Sequence, residues 1–439
     1  MKALLRCFVY CSLYLFVSQA SGMMQRPNVI MIYADDQGSV DANCYGSKDL
    51  VTPGIDGLAK RGVRFTQFYS PAPVCSASRA GMLTGRYPWL VGYEGNAGGP
   101  PREDIENLAD IGGKPGLFAQ QTTMAEMFKS AGYATGHVGK WHLGVERGSK
   151  PLDQGFDYSF GHMGGCIDNF THFFYWNGPN RHDLWENNKR VRMPGEYFPD
   201  LMVNKATRFI QKERDEPFFL YFAFNLPHYP YQGDNHWIKY YQDLPYPRNL
   251  YAAFLSTLDA RLEKLMQVLD DEGIRDNTIV IYQSDNGHST ESRAHGGGGS
   301  AGPYRGEKFS LFEGGIRLPA VISWPGRIPE GVVRTQIAHG CDWLPTLAEL
   351  CQIKLPEAQL NGKSLLPVIE SATTESPHDT LHWQMGKNRW AIRKGQWKLT
   401  NDKGLFLTNI NTDPGEEHNL SKTKPDIVEE LTKLRATVK

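Results

Sequence analysis

The chain has 439 residues, 40% of them hydrophobic and 12% aromatic, enough to bury the core of one large domain with a smaller one beside it. Its 47 basic and 48 acidic residues give a net charge of −1, which excludes a long-range electrostatic pull toward nucleic acid or an anionic membrane. An anionic substrate has to be held by local positive charges.

Lys2 and Arg6 precede an apolar run from Cys7 to Val17, and Ser18, Ala20, Ser21 and Gly22 follow it. That layout predicts a secretory signal peptide over residues 1–22, too short to leave a stable membrane anchor, and hence an exported protein, periplasmic or secreted. Cys44, Cys75, Cys166, Cys341 and Cys351 then remain. An odd count leaves at least one thiol without an internal partner, and Cys75 is the expected one; how the other four pair stays open.

"PNVIMIYADD" (27–36) reads as a strand ending in Asp35 and Asp36. "GVRFTQFYS" (62–70) reads as a second strand, leading through a turn to Cys75 and a helix from about Ser76. "GYATGHVGKWHLG" (132–144) gives a third, ending at Lys140 and His142. "EPFFLYFAFNLPH" (216–228) ends at His228, and "NTIVIYQSDNG" (277–287) ends at Asp285 and Asn286. Between them, 250–273 has helical periodicity and a glycine stop. The Gly-rich 295–308 lacks the spacing of a phosphate-binding loop and is expected to be a mobile loop beside the site.

Near-continuous apolar strands alternating with helices predict an α/β fold, a mostly parallel sheet sandwiched by helices. After "DWLPTLAEL" (342–350), the short runs "TLHWQ", "WAIRKGQWKLT" and "GLFLTNI" and a polar helix from about Pro425 to Lys439 predict a small antiparallel sheet. The expected division is a catalytic domain over 23–338 and a C-terminal subdomain over 339–439.

Open α/β sheets bind ligands at the carboxyl ends of their strands, so these scattered polar tails are expected to meet at one edge. Asp35, Asp36, Asp285 and Asn286 offer three carboxylates and an amide oxygen, a set suited to a hard divalent cation such as Ca²⁺ or Mg²⁺. The absence of histidine from that set argues against zinc.

Cys75, Ser76, Ala77, Ser78 and Arg79, followed by Leu83, Thr84, Gly85 and Arg86, resemble the type I sulfatase signature CxPSRxxxLTGR, with Ala77 in place of the usual proline. "MIYADDQG", "GKWHLG", "LPHYP", "SDNG" and the Lys308 segment "GEKFSLFEGGIRLPAVISWPG" match the same family in order over nearly the whole mature chain. The resemblance implies an alkaline-phosphatase-like fold, one Ca²⁺ ion, and oxidation of Cys75 to Cα-formylglycine by a maturation enzyme. It implies metal binding by Asp35, Asp36, Asp285, Asn286 and the modified Cys75. It also implies sulfate binding by Lys140 and Lys308, and a hydrate at position 75 held by Arg79.

In the implied reaction one hydroxyl of the aldehyde hydrate attacks sulfur to give a sulfo-enzyme, and the other expels sulfate by collapsing to the aldehyde. His142 resembles the base that drives the collapse and His228 the acid that protonates the departing alcohol. His137, His162 and His339 are expected to be structural. Two further readings use the same fold: a phosphonate or phosphate ester hydrolase, and a catalytically silent glycan-binding protein. A cysteine-hydrolase reading of Cys75 leaves the oxygen cluster unexplained.

The aromatic and basic stretch 161–192 offers Tyr175, Trp176 and Trp185 for stacking on sugars and Arg181 and Lys189 for further sulfates. Exported members of the family imply a sulfated polysaccharide or glycosaminoglycan substrate, with galactans such as carrageenan the narrower expectation. Asn169 and Asn419 begin glycosylation sequons, meaningful in a eukaryotic host.

Overall fold

The computed structural model describes residues 26–97, 116–117, 120–176 and 180–438. The expected signal peptide lies outside the described residues. The strands are β1 (Asn28–Ala34), β2 (Val63–Phe65), β3 (Phe68–Tyr69), β4 (Ala134–Lys140), β5 (Tyr158–His162) and β6 (Phe173–Phe174). They continue as β7 (Arg181–His182), β8 (Trp185–Glu186), β9 (Lys189–Arg190), β10 (Phe218–Ala223), β11 (Thr278–Ser284) and β12 (Ala320–Ser323). The last six are β13 (Val332–Arg334), β14 (Ala338–His339), β15 (Thr380–Met385), β16 (Arg389–Lys394), β17 (Trp397–Asn401) and β18 (Leu405–Asn409). The helices are α1 (Pro53–Lys60), α2 (Cys75–Thr84), α3 (Met124–Ser130), α4 (Phe198–Ile210) and α5 (Asn235–Tyr240). They are followed by α6 (Arg248–Asp271), α7 (Glu313–Ile316), α8 (Trp343–Leu350), α9 (Leu366–Glu370) and α10 (Pro425–Arg435).

Ten strands form one sheet in the order β13-β2-β12-β11-β1-β10-β4-β5-β8-β9. Its centre, β11-β1-β10-β4-β5, is parallel throughout, so the carboxyl ends of these strands share one edge. Both faces are covered, which is why β1 is apolar or aromatic from Val29 to Ala34. Val29, Met31 and Tyr33 pack with α2, α3 and α8, while Ile30, Ile32 and Ala34 pack with α1, α4 and α6. None of the helices among the described residues is long and apolar enough to cross a membrane.

The run 62–70 is not one strand. Thr66 donates its amide to the Arg334 carbonyl and Gln67 its side-chain amide to the Thr335 carbonyl, and between them the chain leaves the large sheet. Phe68 and Tyr69 instead pair with β14 in a separate two-stranded sheet. The expected helix over 250–273 is α6, closed by Gly273 in the left-handed region. The Gly-rich loop is pinned rather than loose. Ser300 donates its amide to Asp41, Val40 donates to the Ser300 carbonyl, and Arg248 donates to the Gly298 carbonyl.

The C-terminal runs form the antiparallel sheet β15-β16-β17-β18. One face, with Trp390, Ile392, Leu399 and Leu407, is covered by Leu431 of α10; from the other, Leu381, Trp383 and Ala391 pack on Tyr69, Leu311 and Ile316 of the large unit. This second contact sets the small sheet against the segment leading into α7.

Candidate active site

Four strand ends, one helix start and one loop build the site. β1 runs into Asp35 and Asp36, β4 ends at Lys140 with His142 two residues on, β10 leads to His228, and β11 runs into Asp285 and Asn286. Cys75 is the first residue of α2, and Lys308 enters from the loop before α7. All of these side chains are buried. Asp36 and His142 adopt φ of 62° and 57°, left-handed values that a non-glycine residue holds only where surrounding contacts enforce them.

Asp35, Asp36, Asp285 and Cys75 each offer a ligand atom, all within 4.8 Å of one another. The Cys75 Sγ lies 3.5 Å from Asp35 Oδ1 and 3.9 Å from Asp36 Oδ1. The Asn286 side-chain amide donates to Asp36 Oδ1 at 2.7 Å and to the Gly287 carbonyl at 2.9 Å, while its Oδ1 is buried with no hydrogen-bond partner. An orphaned buried amide oxygen beside three carboxylates is costly by itself and suits a hard divalent cation. The chain's own residues therefore fit the metal that the sequence implies.

Lys140 Nζ donates to both Asp35 oxygens, at 2.9 and 2.7 Å, and Lys308 Nζ to Asp36 Oδ2 at 2.8 Å. Burial alone would lower both ammonium pKa values, but Asp35 and Asp36 outweigh it and hold them above the usual lysine value. Arg79 lies one helical turn after Cys75 and donates to Asp285 Oδ2 at 2.8 Å, the Tyr221 hydroxyl at 3.1 Å and the Lys140 carbonyl at 3.2 Å. Here its guanidinium orients a carboxylate and a strand end.

Burial, followed by repulsion from Asp285 and Asp36, pushes the Asp35 carboxyl well above the usual carboxylate range, against the pull of Lys140 and Arg79. Such crowding of acidic groups is relieved by a bound cation. Burial also pushes the Cys75 thiol up despite Lys140 and Lys308, so it stays protonated and is a poor nucleophile as a thiol.

His142 and His228 are both held neutral, their pKa values far below the usual imidazole value, first through burial and then through Lys140 and Lys308. The His228 Nδ1 donates to the Tyr229 carbonyl at 2.6 Å, which leaves Nε2 facing Asp36 Oδ2 at 3.6 Å. Trp176 approaches His142 with ring centroids 6.5 Å apart because Gly165 lies between them; a Cβ there would come within 2.7 Å of both rings. His162, expected to be structural, is buried close enough to depress His142 and His228. His137 packs on Trp141, Phe156 and Tyr221, and His339 on Tyr87 and Trp383, as structural histidines do.

Other side chains at the site left no local mark in the sequence. Glu291 accepts from the Tyr229 hydroxyl at 3.1 Å and lies 3.7 Å from Lys308, and Tyr221 and Tyr33 line the buried Arg79. Among the expected sugar contacts, Trp176 stands at the rim with Arg293 5.7 Å from its ring centre. Trp185 is instead buried beneath Arg190 and donates to Asp183, so it offers no free face. Tyr175 donates to the Tyr229 carbonyl, Arg181 lies over Phe174, and Lys189 is exposed on the edge strand β9. Asn169 is fully buried and bonded to Gln232 and Asn225, which rules it out as a glycan acceptor in the folded chain; Asn419 is exposed. All five described cysteines are free thiols, so none of the four left open is paired.

A parallel sheet whose carboxyl edge gathers three acidic groups, an orphaned amide oxygen and two buried lysines around a helix-initiating Cys75 defines a metal-assisted ester hydrolase of the alkaline-phosphatase-like superfamily. The Sulfatase family model matches residues 27–353, and the model of the N-sulphoglucosamine sulphohydrolase C-terminal region matches 306–438. The chain is 31% identical to human (Homo sapiens) arylsulfatase A over 97% of its length and 90% of that protein's. It is 30% identical to the N-acetylgalactosamine-6-O-sulfatase of Bacteroides thetaiotaomicron, over 94% of the chain and 93% of the relative. The crystal structure of Ps i-CgsB in complex with k-i-k-neocarrahexaose superposes with a TM-score of 0.84 at 30% identity, covering 94% of this chain and 92% of that one. The chain belongs to the sulfatase family and is a sulfuric-ester hydrolase. Membership implies a formylglycine and a divalent metal.

Proposed function

We propose that this sulfatase removes sulfate from a sulfated carbohydrate, a polysaccharide or glycosaminoglycan, with a galactan of the carrageenan type the narrower candidate. The observation that carries the reaction is the position of Cys75, 3.5 Å from Asp35 inside a cluster of acidic groups faced by two buried lysines. The sugar class draws on the relatives' names and on the carrageenan hexaose bound to Ps i-CgsB. The rim pair of half-buried Trp176 and exposed Arg293 offers a ring and a cation to such a ligand. The catalytic unit is taken as 23–338 and the C-terminal subdomain as 339–439, with export directed by residues 1–22.

Asp35, Asp36, Asp285 and Asn286, with the oxidised residue 75, would hold one divalent cation, and the all-oxygen protein donors favour Ca²⁺ over zinc. Bound there, the cation would offset the charge of the sulfate oxygens and lower the pKa of a hydroxyl at position 75. A maturation enzyme would convert the inert Cys75 thiol to the aldehyde whose hydrate supplies the attacking and the expelling hydroxyl.

Lys140 and Lys308 bind and orient the sulfate oxygens from two sides, and burial strengthens that attraction by excluding water. Arg79 fixes Asp285 and the end of β4, keeping carboxylate and lysine in register around residue 75. Neutral His142 is in the state required of a base that takes a hydroxyl proton. His228 is fixed by the Tyr229 carbonyl with Nε2 toward the site. Burial is the main cause of its low pKa and the lysines add to it; a sulfate anion beside those lysines offsets their part, which favours the protonated ring that the leaving alcohol needs.

The test joins mass spectrometry of the residue 75 peptide to sulfate release from a panel of sulfated oligosaccharides by wild type and Cys75→Ala. The expected peptide is lighter by the difference between a thiol and an aldehyde, and the variant is expected to lose at least a thousandfold in turnover. Equal sulfate release by the two proteins would remove residue 75 from the mechanism. Activity on an aryl sulfate but on no sulfated glycan would reject the carbohydrate assignment.

A further inference from the structure

The segment carrying Lys308 has turns of its own, in which Ser310 donates to the Glu307 carbonyl and Gly314 to the Arg305 carbonyl, and it is also gripped at both ends by the small C-terminal sheet. Phe309, next to Lys308, has φ of 70°, an unfavourable value for a β-carbon-bearing aromatic residue. Its amide donates to the Pro73 carbonyl at 2.8 Å, two residues before Cys75. Its carbonyl accepts from Arg389 of β16, whose guanidinium is held in turn by Asp402.

At the other end, Glu313 opens α7 and is fully buried. Its Oε1 accepts from Lys398 of β17 at 2.9 Å, and its Oε2 from the Tyr69 hydroxyl at 2.6 Å. Lys398 also reaches Glu416 Oε1 at 3.1 Å, and the second oxygen of Glu416 accepts the Glu313 amide at 2.5 Å. Removing one member leaves a buried charge uncompensated, so the cluster tolerates little displacement. Gly315 of α7 accepts the Gly287 amide at 3.0 Å, which ties this end to the residue after Asn286.

We propose that the C-terminal sheet positions Lys308 for sulfate binding, with Arg389 and Lys398 as the positioning residues. They act through the 305–316 segment, fixing it so that the Lys308 ammonium stays 2.8 Å from Asp36, facing residue 75. This rests on the role proposed above for Lys308.

The experiment is a double-mutant cycle on steady-state hydrolysis of an aryl sulfate by the metal-loaded full chain, at a temperature well below the Tm of every variant. Arg389, a third exposed, is replaced by Met, and Lys398→Met is made in parallel as the more severe variant. In the parent background Arg389→Met is expected to lower kcat/KM about tenfold, mainly through KM, and to weaken inhibition by inorganic sulfate by a similar factor. In the Lys308→Ala background the same substitution is expected to cost less than about twofold, because the group it positions is gone. A full tenfold loss in both backgrounds, or unchanged kinetics in the parent, overturns the proposal. If Lys308→Ala alone leaves sulfate inhibition unchanged, the sulfate-binding role of Lys308 fails and the positioning proposal fails with it.

Discussion

At the scale of single residues, the site is defined by groups that are expensive to bury unless they bind something. Asn286 is the clearest: its amide nitrogen is satisfied by Asp36 and Gly287 while its oxygen is not. If Asn286 is a ligand as proposed, substituting it by Ala is expected to raise the Kd for Ca²⁺ tenfold or more, since one oxygen of a small set is removed and its hold on Asp36 is lost with it. Calorimetric titration of the chelator-treated protein measures this, and unchanged affinity would place the ion elsewhere. Wild type stripped of metal should lose activity and regain it with Ca²⁺ more fully than with Mg²⁺, because a cluster of side chains from distant strands suits an irregular coordination shell better than a strict octahedron.

At the scale of elements, tertiary contacts supply what local sequence leaves out. The α1 helix begins with Pro53, and the side chain of Thr52 does not cap it. The cap comes from Asp259 of α6, whose two oxygens accept the amides of Gly54 at 2.7 Å and Ile55 at 2.8 Å. Asp259→Ala leaves two buried donors unpaired and is expected to cost about 2 to 4 kcal/mol in denaturant unfolding with kcat unchanged. A loss below about 0.5 kcal/mol would mean water replaces the carboxylate. Gly139 and Gly161 show the same dependence in the sheet. Here φ is 116° and 149°, and a Cβ would come within 1.9 Å of the Ala223 carbonyl oxygen and 1.8 Å of the Gly139 carbonyl oxygen, respectively. Without these glycines β10, β4 and β5 could not approach closely enough to bring Lys140 and His228 to one edge.

For the whole molecule, acid stability follows from histidines buried as neutral rings. Burial lowers the pKa of both His137 and His339 from 6.5 to about 3. Between pH 6.5 and about 3 the unfolded chain binds protons that the folded chain refuses, so stability falls as pH falls through that window, by up to about 1.4 kcal/mol per pH unit for each group. Urea unfolding at pH 6.5 and 4.5 with saturating Ca²⁺ should show this loss, and His137→Asn should reduce it. Equal pH slopes for the variant and wild type would show that His137 contributes nothing to acid lability.

Much of the fold and most of the candidate site are legible in the sequence for one reason: a strand buried on both faces must be apolar along its length, so the polar residues that end it stand out. Asp35, Asp36, Asp285 and Asn286 announce themselves in this way, while Lys140 ends a strand that itself holds Thr135 and His137, His228 follows β10 by five residues, and both were legible through their family motifs, as was Cys75. The sequence by itself determined the residue types, the family, the central strands β1, β4, β10 and β11, the helix α6 and the C-terminal antiparallel sheet. Only the tertiary structure decided that 62–70 breaks between two sheets, that Trp185 and Asn169 are buried, that His162 sits among the site histidines, and that Glu291 faces Lys308. These depend on contacts between residues tens to hundreds of positions apart, where burial and charge act through space and leave no periodicity for a local reading to detect.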